Sequence, residues 1–501
     1  MGIISNSQDG AIYSKENLEI KGNGTLTIQS LAGHGIKASD NLTMENGTVC
    51  ILAESDGIHI NDTFKMTGGV LDITAAGDGI DSESIVIISG GSVRIETTGV
   101  PVETSAITNT APSTARKGMW EETADVEFEK SSKGINAEWM LYISGGEITV
   151  AAASHCIHCE DEIQIDGGIF TLSSTYEKGI SAHGNLTVNG SETVMDITKS
   201  TEGMESKNVL TVNDGVITVV ASDDALNATG EKSGDTMGMG GNIGIGQDKG
   251  NRVPPESAQG TLTDNPAQAP APTQSQAPAR SGKGENRQPG NMQQPSEAPE
   301  AGGFSPSAGA RPQTGGNAAI SGNASGNMQS NGMKDCLIIN GGVLELYAGD
   351  DCLDANGNLL INGGTIKATN SKGSFSGATG VIDPDGQATI SKEATLIFAS
   401  GSGNERSFNL TQNTITVYCA KTHTANETIT LTHSNGNTLY EYTPVGSFAA
   451  VFIASDALET GETYNITVGD EVFEAAITGQ STVIGTSSTG SGGFGRGQMM
   501  R

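Results

Sequence analysis

Hydrophobic and polar positions along the chain repeat with a period of about 22 residues. A Gly-Ile step recurs as Gly35-Ile36, Gly57-Ile58, Gly79-Ile80, Gly134-Ile135 and Gly179-Ile180, with Cys156-Ile157, Gly203-Met204 and Cys352-Leu353 as variants. Each unit carries apolar residues in pairs spaced i, i+2. One unit has Ile58 and Ile60, Phe64 and Met66, Leu71 and Ile73; another has Ile157 and Cys159, Ile163 and Ile165, Phe170 and Leu172. A period of two puts both members of a pair on one face of a strand. Gly-Gly, Asn-Gly and Asp-Gly corners separate the pairs. Three short strands per turn, bent at such corners, describe one coil of a parallel β-helix. The pattern predicts an all-β chain with about eleven coils of ~22 residues. The first carries Ile12, Leu18, Ile20, Leu26 and Ile28, and the last Ile382, Ala388, Ile390, Leu396 and Phe398. Nothing in the unit has a period of 3.6, which excludes helical and leucine-rich repeats.

The coils are expected over residues 1–404, with two interruptions. Residues 99–132 form a long loop containing Trp120. Residues 231–333 hold 11 of the 15 Pro with many Gly, Ser, Gln and Asn, a composition that cannot offset chain entropy by burial and predicts a disordered insertion. The phrase GGVLELYAGDDCLDANGNLLINGG resumes the pattern in phase, so the coils are expected to close across the insertion. From 405 to 480 the pattern alternates like antiparallel strands, with Ser434-Asn435-Gly436-Asn437 as a hairpin signal. A small C-terminal β-domain is therefore predicted to cover the open edge of the last coil. Residues 481–501 read as a Gly/Ser-rich tail. The opening stretch MGIISNSQDGAIYSKENL has neither a charged n-region nor an apolar h-region, so no secretion signal is expected in it.

Charge changes the picture from fold to partner. Acidic residues outnumber basic ones 58 to 27, a net charge of −31. The insertion 231–333 holds 7 basic and 8 acidic residues, so nearly all of the charge belongs to the coils and the C-terminal domain. Such a surface excludes nucleic acid as a partner and disfavours an anionic membrane. No apolar run is long enough for a membrane span. A monomer is expected. The apolar fraction of 35 % and aromatic fraction of 4 % are low for several globular cores, but suit the thin core of a solenoid. The six Cys have no framework spacing.

Candidate chemistry lies on outward positions. One column runs Lys37, His59, Asp81, Asn136, His158, Ser181, Glu205, Asn227, Asp354, Asp383. Its members are expected about 4.8 Å apart, the strand spacing. Two acidic clusters follow: Asp56, Asp78 and Asp81 on adjacent coils, and Asp223, Asp224, Asp350, Asp351 and Asp354 beside the insertion. Stacked carboxylates repel, and a hard, oxygen-seeking cation such as Ca²⁺ relieves this; a solvated row of turn-forming Asp is the plainer alternative. His155-Cys156-Ile157-His158-Cys159 resembles a soft-metal box, yet the repeat turns Ile157 and Cys159 inward, which favours buried structural thiols. Lys37 shares a column with His59 and Asp81, as a lyase base beside a cation would; pairing with nearby carboxylates is the alternative. Candidates for sugar contacts are His59, His158, Trp139, Tyr142 and Trp120, with packing the plainer alternative for each aromatic.

KGINAEWMLYISGGEITV, DGIHINDTFKMTGGVLDIT, DDCLDANGNLLINGGTIKA and the closing NTLYEYTPVGSFAAVFIASDALETGETYNITVG resemble the clostridial-type carbohydrate-binding β-helix domain, itself similar in fold to calcium-dependent pectate lyases. The likeness covers nearly all of 1–480. It implies a right-handed parallel β-helix with bound Ca²⁺ that binds cellulose or acidic plant polysaccharide outside the cell or at its surface, without lyase activity. Asp56, Asp78, Asp81, Asp350, Asp351 and Asp354 are the calcium positions that the resemblance carries over. The sequence departs from that pattern where His or Lys replaces the corner Asp, at 34, 133, 155 and 178. Three functions remain open: non-catalytic calcium-dependent polysaccharide binding, a calcium-dependent pectate lyase using Lys37, and a structural or adhesive surface solenoid.

Overall fold

The computed structural model describes residues 1–7, 9–101, 130–230, 333–376, 380–401 and 409–486. Trp120 and nearly all of both predicted insertions lie outside the described residues. The described residues are all-β, with no helix. Their apolar pairs form a ladder of parallel strands. Ile36 stands opposite Ile58, Ile58 opposite Ile80, Ile80 opposite Ile135, Ile135 opposite Ile157, and Ile157 opposite Ile180. The ladder continues through Met204, Leu226, Leu353 and Ile382. These long parallel sheets are consistent with a β-helix-like solenoid.

Alternation along each strand builds the core. In Val70–Ala75 the residues Leu71, Ile73 and Ala75 are buried, while Val70 is exposed and Asp72 and Thr74 are half-buried. Successive strands repeat this, so Leu71, Val93, Ile148, Phe170 and Met195 stack as one inward column. Both insertions are bridged in register. Ile80 pairs with Ile135 across the first, and Leu226 with Leu353 across the second. Corner asparagines add a ladder of their own. Asn213 donates to Asn189 at 2.6 Å, Asn340 to Asn213 at 2.6 Å and Asn362 to Asn340 at 2.7 Å, the middle bond spanning the second insertion.

The pairing then changes sense. Thr395–Ser400 pairs antiparallel with Phe448–Ser455, Phe398 opposite Phe452. Phe448–Ser455 also pairs with Asn413–His423, and a four-stranded antiparallel sheet is built from Ile429–His433, Thr438–Tyr442, Thr463–Val468 and Glu471–Ala476. A second apolar cluster including Ile397, Ile415, Phe448, Tyr464 and Ile466 fills this region. The predicted hairpin joins Ile429–His433 to Thr438–Tyr442, with Gly436 at φ 94°, where only a residue without Cβ is unstrained. Ser481–Ile484, assigned from sequence to the tail, is instead a strand parallel to Asn413–His423. Its β-branched Thr482, Val483 and Ile484 suit a sheet, whereas the Gly/Ser content begins after them.

Candidate functional site

Strand register aligns the predicted column. Lys37 pairs with His59, His59 with Asp81, Asp81 with Asn136, and Asn136 with His158. Ser181, Glu205, Asn227, Asp354 and Asp383 follow in order. The column passes through three chemistries.

Its acidic end brings Asp223, Asp224 and Asp350 together, with carboxylate oxygens within 4.8 Å of one another. Asp224 Oδ1 accepts the Asp351 N–H at 2.9 Å, and Asp351 Oδ1 accepts the Gly380 N–H. Burial, then the charge of Asp354, pushes Asp224 up to about 9. Burial also pushes Asp351 up to about 8, with Asp350, Asp383 and Asp354 adding to it. Asp354 rises to about 7 through burial and the nearby Asp383 and Asp385. Asn227 stands between Glu205 and Asp354 in the column. Its Oδ1 is buried without a hydrogen-bond partner, while its Nδ2 donates to Glu202 at 3.4 Å and Asp224 at 3.5 Å. That oxygen was not among the sequence candidates, although its place in the column was legible. Carboxylates plus an orphaned amide oxygen form an oxygen-only donor set, which fits Ca²⁺.

The other acidic cluster is assembled differently. Asp78 is buried at 3 % exposure, and its Oδ1 accepts the Lys133 backbone N–H at 2.7 Å. Burial, then Asp56 and Asp81, pushes it up to about 7. Asp56 Oδ1 accepts the Asp78 N–H at 2.9 Å, while Oδ2 lies 3.0 Å from His34 Nδ1 and 3.4 Å from His59 Nδ1. Asp81 Oδ2 is 2.9 Å from His59 Nδ1, and Asp81 Oδ1 accepts from Asn136 Nδ2 at 2.8 Å. Burial would raise Asp56, but the two imidazoles overcome it and hold Asp56 well below the usual range. Asp56 and Asp81 in turn lift His59 to about 9. Around the grouped Asp56, Asp78 and Asp81, two ring nitrogens face Asp56, and Asp78 Oδ1 accepts from the backbone of the next coil.

Between these ends the column is buried. Cys156 and Cys159 are free and fully buried, and burial pushes both thiols up to about 12. His158 is 2 % exposed. It stacks on His155 with centroids 5.1 Å apart and meets the edge of His183 at the same distance. Burial pushes it down to about 4. His158 is therefore buried beside the rings of His155 and His183. Farther on, Lys178 Nζ lies 2.6 Å from Glu205 Oε2 and 3.6 Å from Glu202 Oε1, and Lys207 Nζ lies 2.6 Å from Glu205 Oε1. Ammonium groups of the chain itself neutralise the carboxylates there, where the corner Asp is replaced.

Lys37 is half-buried, and among the described residues no carboxylate lies within ion-pair distance of it. Seven strand steps separate it from Asn227 in the column, roughly 34 Å. Tyr142 is half-buried and donates its hydroxyl to Asp166 Oδ2 at 2.8 Å, where Gln164 and Asn189 also donate. Trp139 is half-buried three residues before it.

Residues 3–179 match the family model described as "Carbohydrate-binding domain-containing protein". The resemblance to a carbohydrate-binding family is borne out over that stretch. No curated protein and no solved structure gives a significant match. No helix among the described residues is long and apolar enough to cross a membrane.

Proposed function

We propose that the protein binds polysaccharide without catalysing a reaction on it, through Ca²⁺ held at the acidic end of the column. Carbohydrate binding is the role carried by the family matched over residues 3–179. The acidic end lies beyond those residues, so the calcium reading rests on its own geometry. The observation that carries it is the upward shift of Asp224, Asp351 and Asp354, each caused by burial and by other carboxylates, beside the unpartnered Asn227 Oδ1. Asp223, Asp224, Asp350, Asp351, Asp354 and Asn227 would hold the ion. Once bound, Ca²⁺ supplies positive charge and open coordination positions for hydroxyl or carboxylate oxygens of a sugar. Asp224 and Asp351 fix the geometry through their backbone hydrogen bonds, and Asn227 contributes a neutral oxygen that adds no repulsion.

The charge selects the partner. A chain of net charge −31 repels a polyuronate, and a bridging cation is the physical way to overcome this. Acidic plant polysaccharide of the polygalacturonate type is the favoured ligand, with cellulose as the neutral alternative, met outside the cell or at its surface. The lyase reading is weaker, because Lys37 stands roughly 34 Å along the column from the calcium position, far beyond reach of an α-proton there. Retention on insoluble pectate and cellulose, with Ca²⁺ and with chelator, tests the proposal. Calcium-dependent retention with no unsaturated uronate absorbance is expected. Chelator-insensitive retention rejects the bridging role, and product formation abolished by Lys37→Ala restores the lyase.

A further inference from the structure

We propose that His34, Asp56 and His59 form a second, chemically different metal site, one for a borderline divalent cation of the zinc class, with Asp81 beside it. Two successive coils supply the ligands: His34 from His34–Ala38, and Asp56 and His59 from the next coil. One donor atom from each lies within 4.8 Å of the other two. His34 Nδ1 is 3.0 Å from Asp56 Oδ2 and His59 Nδ1 is 3.4 Å from the same oxygen, while Asp81 Oδ2, on the third coil, is 2.9 Å from His59 Nδ1. Ligands about 2.0 Å from a tetrahedral centre stand about 3.3 Å apart, close to the first two separations.

Hydrogen bonding alone leaves part of the cluster unexplained. His34 Nδ1 is buried at 3.0 Å from Asp56 Oδ2, yet it makes no hydrogen bond, because the contact is not aligned for one. A shared cation does not need that alignment. The outer contacts also suit a metal centre, since ligating carboxylates are themselves hydrogen-bonded. Asp56 Oδ1 accepts the Asp78 N–H, Asp81 Oδ1 accepts from Asn136 Nδ2, and Glu83 Oε1 lies 4.0 Å from His59 Nε2. Two imidazoles with a carboxylate favour zinc-class ions over Ca²⁺, which takes oxygen. The His158, Glu160 and His183 cluster fits less well, because the positive charge of Lys133 bears on His158, which is itself buried. All three proposed ligands are partly exposed, so an ion can enter from solvent and tie two coils together.

The full chain, stripped of metal, is titrated with Zn²⁺ by equilibrium dialysis and with Co²⁺ by visible absorption. His34→Gln and His59→Gln should each lose one equivalent of Zn²⁺ and the Co²⁺ ligand-field bands of that site, and excess Ca²⁺ should leave both unchanged in the unaltered protein. Zn²⁺ equivalents unchanged in both variants, or displacement by Ca²⁺, overturns the proposal. A second measurement avoids mutation altogether. Zn²⁺, but not Ca²⁺, should protect His34 and His59 from diethyl pyrocarbonate, read by peptide mass spectrometry; unchanged modification overturns the site. Either failure leaves the calcium and polysaccharide reading untouched, since the two sites share no ligand.

Discussion

At Gly57 an added Cβ would stand 2.3 Å from Ile73 Cγ2, and at Gly134 it would stand 2.3 Å from Val150 Cγ1. The same approach recurs at Gly35 against Ile51, Gly79 against Ile95, Gly179 against Ile197 and Gly203 against Val219. In each, the facing residue is β-branched. Where the residue at that place in the coil lacks a second branch on Cβ, the corner accepts a side chain: Cys156 with Leu172, Ala225 with Leu346, Cys352 with Ala368. Ala11 with Ile28 departs from this, in the half-exposed first coil. Cys156, from the segment that resembled a metal box, is therefore a space-filling partner of Leu172, as Cys352 is of Ala368. Leu172→Ile should crowd Cys156 and cost about 1–3 kcal/mol, as overpacking does. Adding Cys156→Gly should recover most of that loss in denaturant unfolding, a coupling that two independent sites would not show.

The acidic residues make a prediction of opposite sign to ordinary carboxylates. Asp224, Asp351 and Asp354 titrate near 9, 8 and 7 in the folded chain, against about 3.9 for an unfolded Asp. Between these limits the folded state holds more protons than the unfolded one. Metal-free stability should therefore fall as pH rises from about 4 through 9, and Ca²⁺ should flatten the curve. Asp224→Asn should raise the neutral-pH Tm of the metal-free protein and remove much of the Ca²⁺-induced rise, both read by calorimetry. A metal-free Tm that climbs across this range would contradict the assignment. The acidic column was legible in the sequence because its period matches the coil. The sequence did not reveal that Asp78 is spent on the Lys133 backbone, since side-chain direction at a corner depends on the adjacent coil.

At the scale of elements, the register was legible because a one-residue slip would turn every apolar pair outward. The Gly-Ile steps therefore aligned correctly even across both insertions. The asparagine ladder was missed, because Asn at an Asn-Gly corner is explained equally well by the turn alone. The end of the solenoid follows a different rule. Thr395–Ser400 would present an unpaired edge, and Phe448–Ser455 occupies it. Val451 pairs with both Ala399 and Val417 at the centre of this arrangement. Val451→Pro removes a ladder hydrogen bond on a central strand and should cost about 1–3 kcal/mol for the buried group left unsatisfied. Size-exclusion chromatography should then show higher-order species, as freed edges pair between chains; a purely monomeric elution would mean that the strand is not protecting an edge.

Across the whole molecule, the same structural column changes its counter-charge along its length. Histidines face the carboxylates near the N-terminus, lysines neutralise Glu202 and Glu205 in the middle, and the far end has carboxyls raised by burial and then by one another. The middle needs no ion because the chain provides its own. The far end combines like-charge repulsion with the unpartnered Asn227 Oδ1; Asn136 Oδ1 is likewise unpartnered beside Asp81, but there imidazoles face the carboxylates. Ca²⁺ at this end is proposed to join the protein to an acidic polysaccharide. Affinity electrophoresis through polygalacturonate tests it most directly, comparing the unaltered protein with Asp224→Asn/Asp351→Asn, each with Ca²⁺ and with chelator. The account predicts retardation of the unaltered protein with Ca²⁺ alone, and free migration of the double variant in both conditions. Equal retardation of the two proteins, or retardation that survives the chelator, would contradict it.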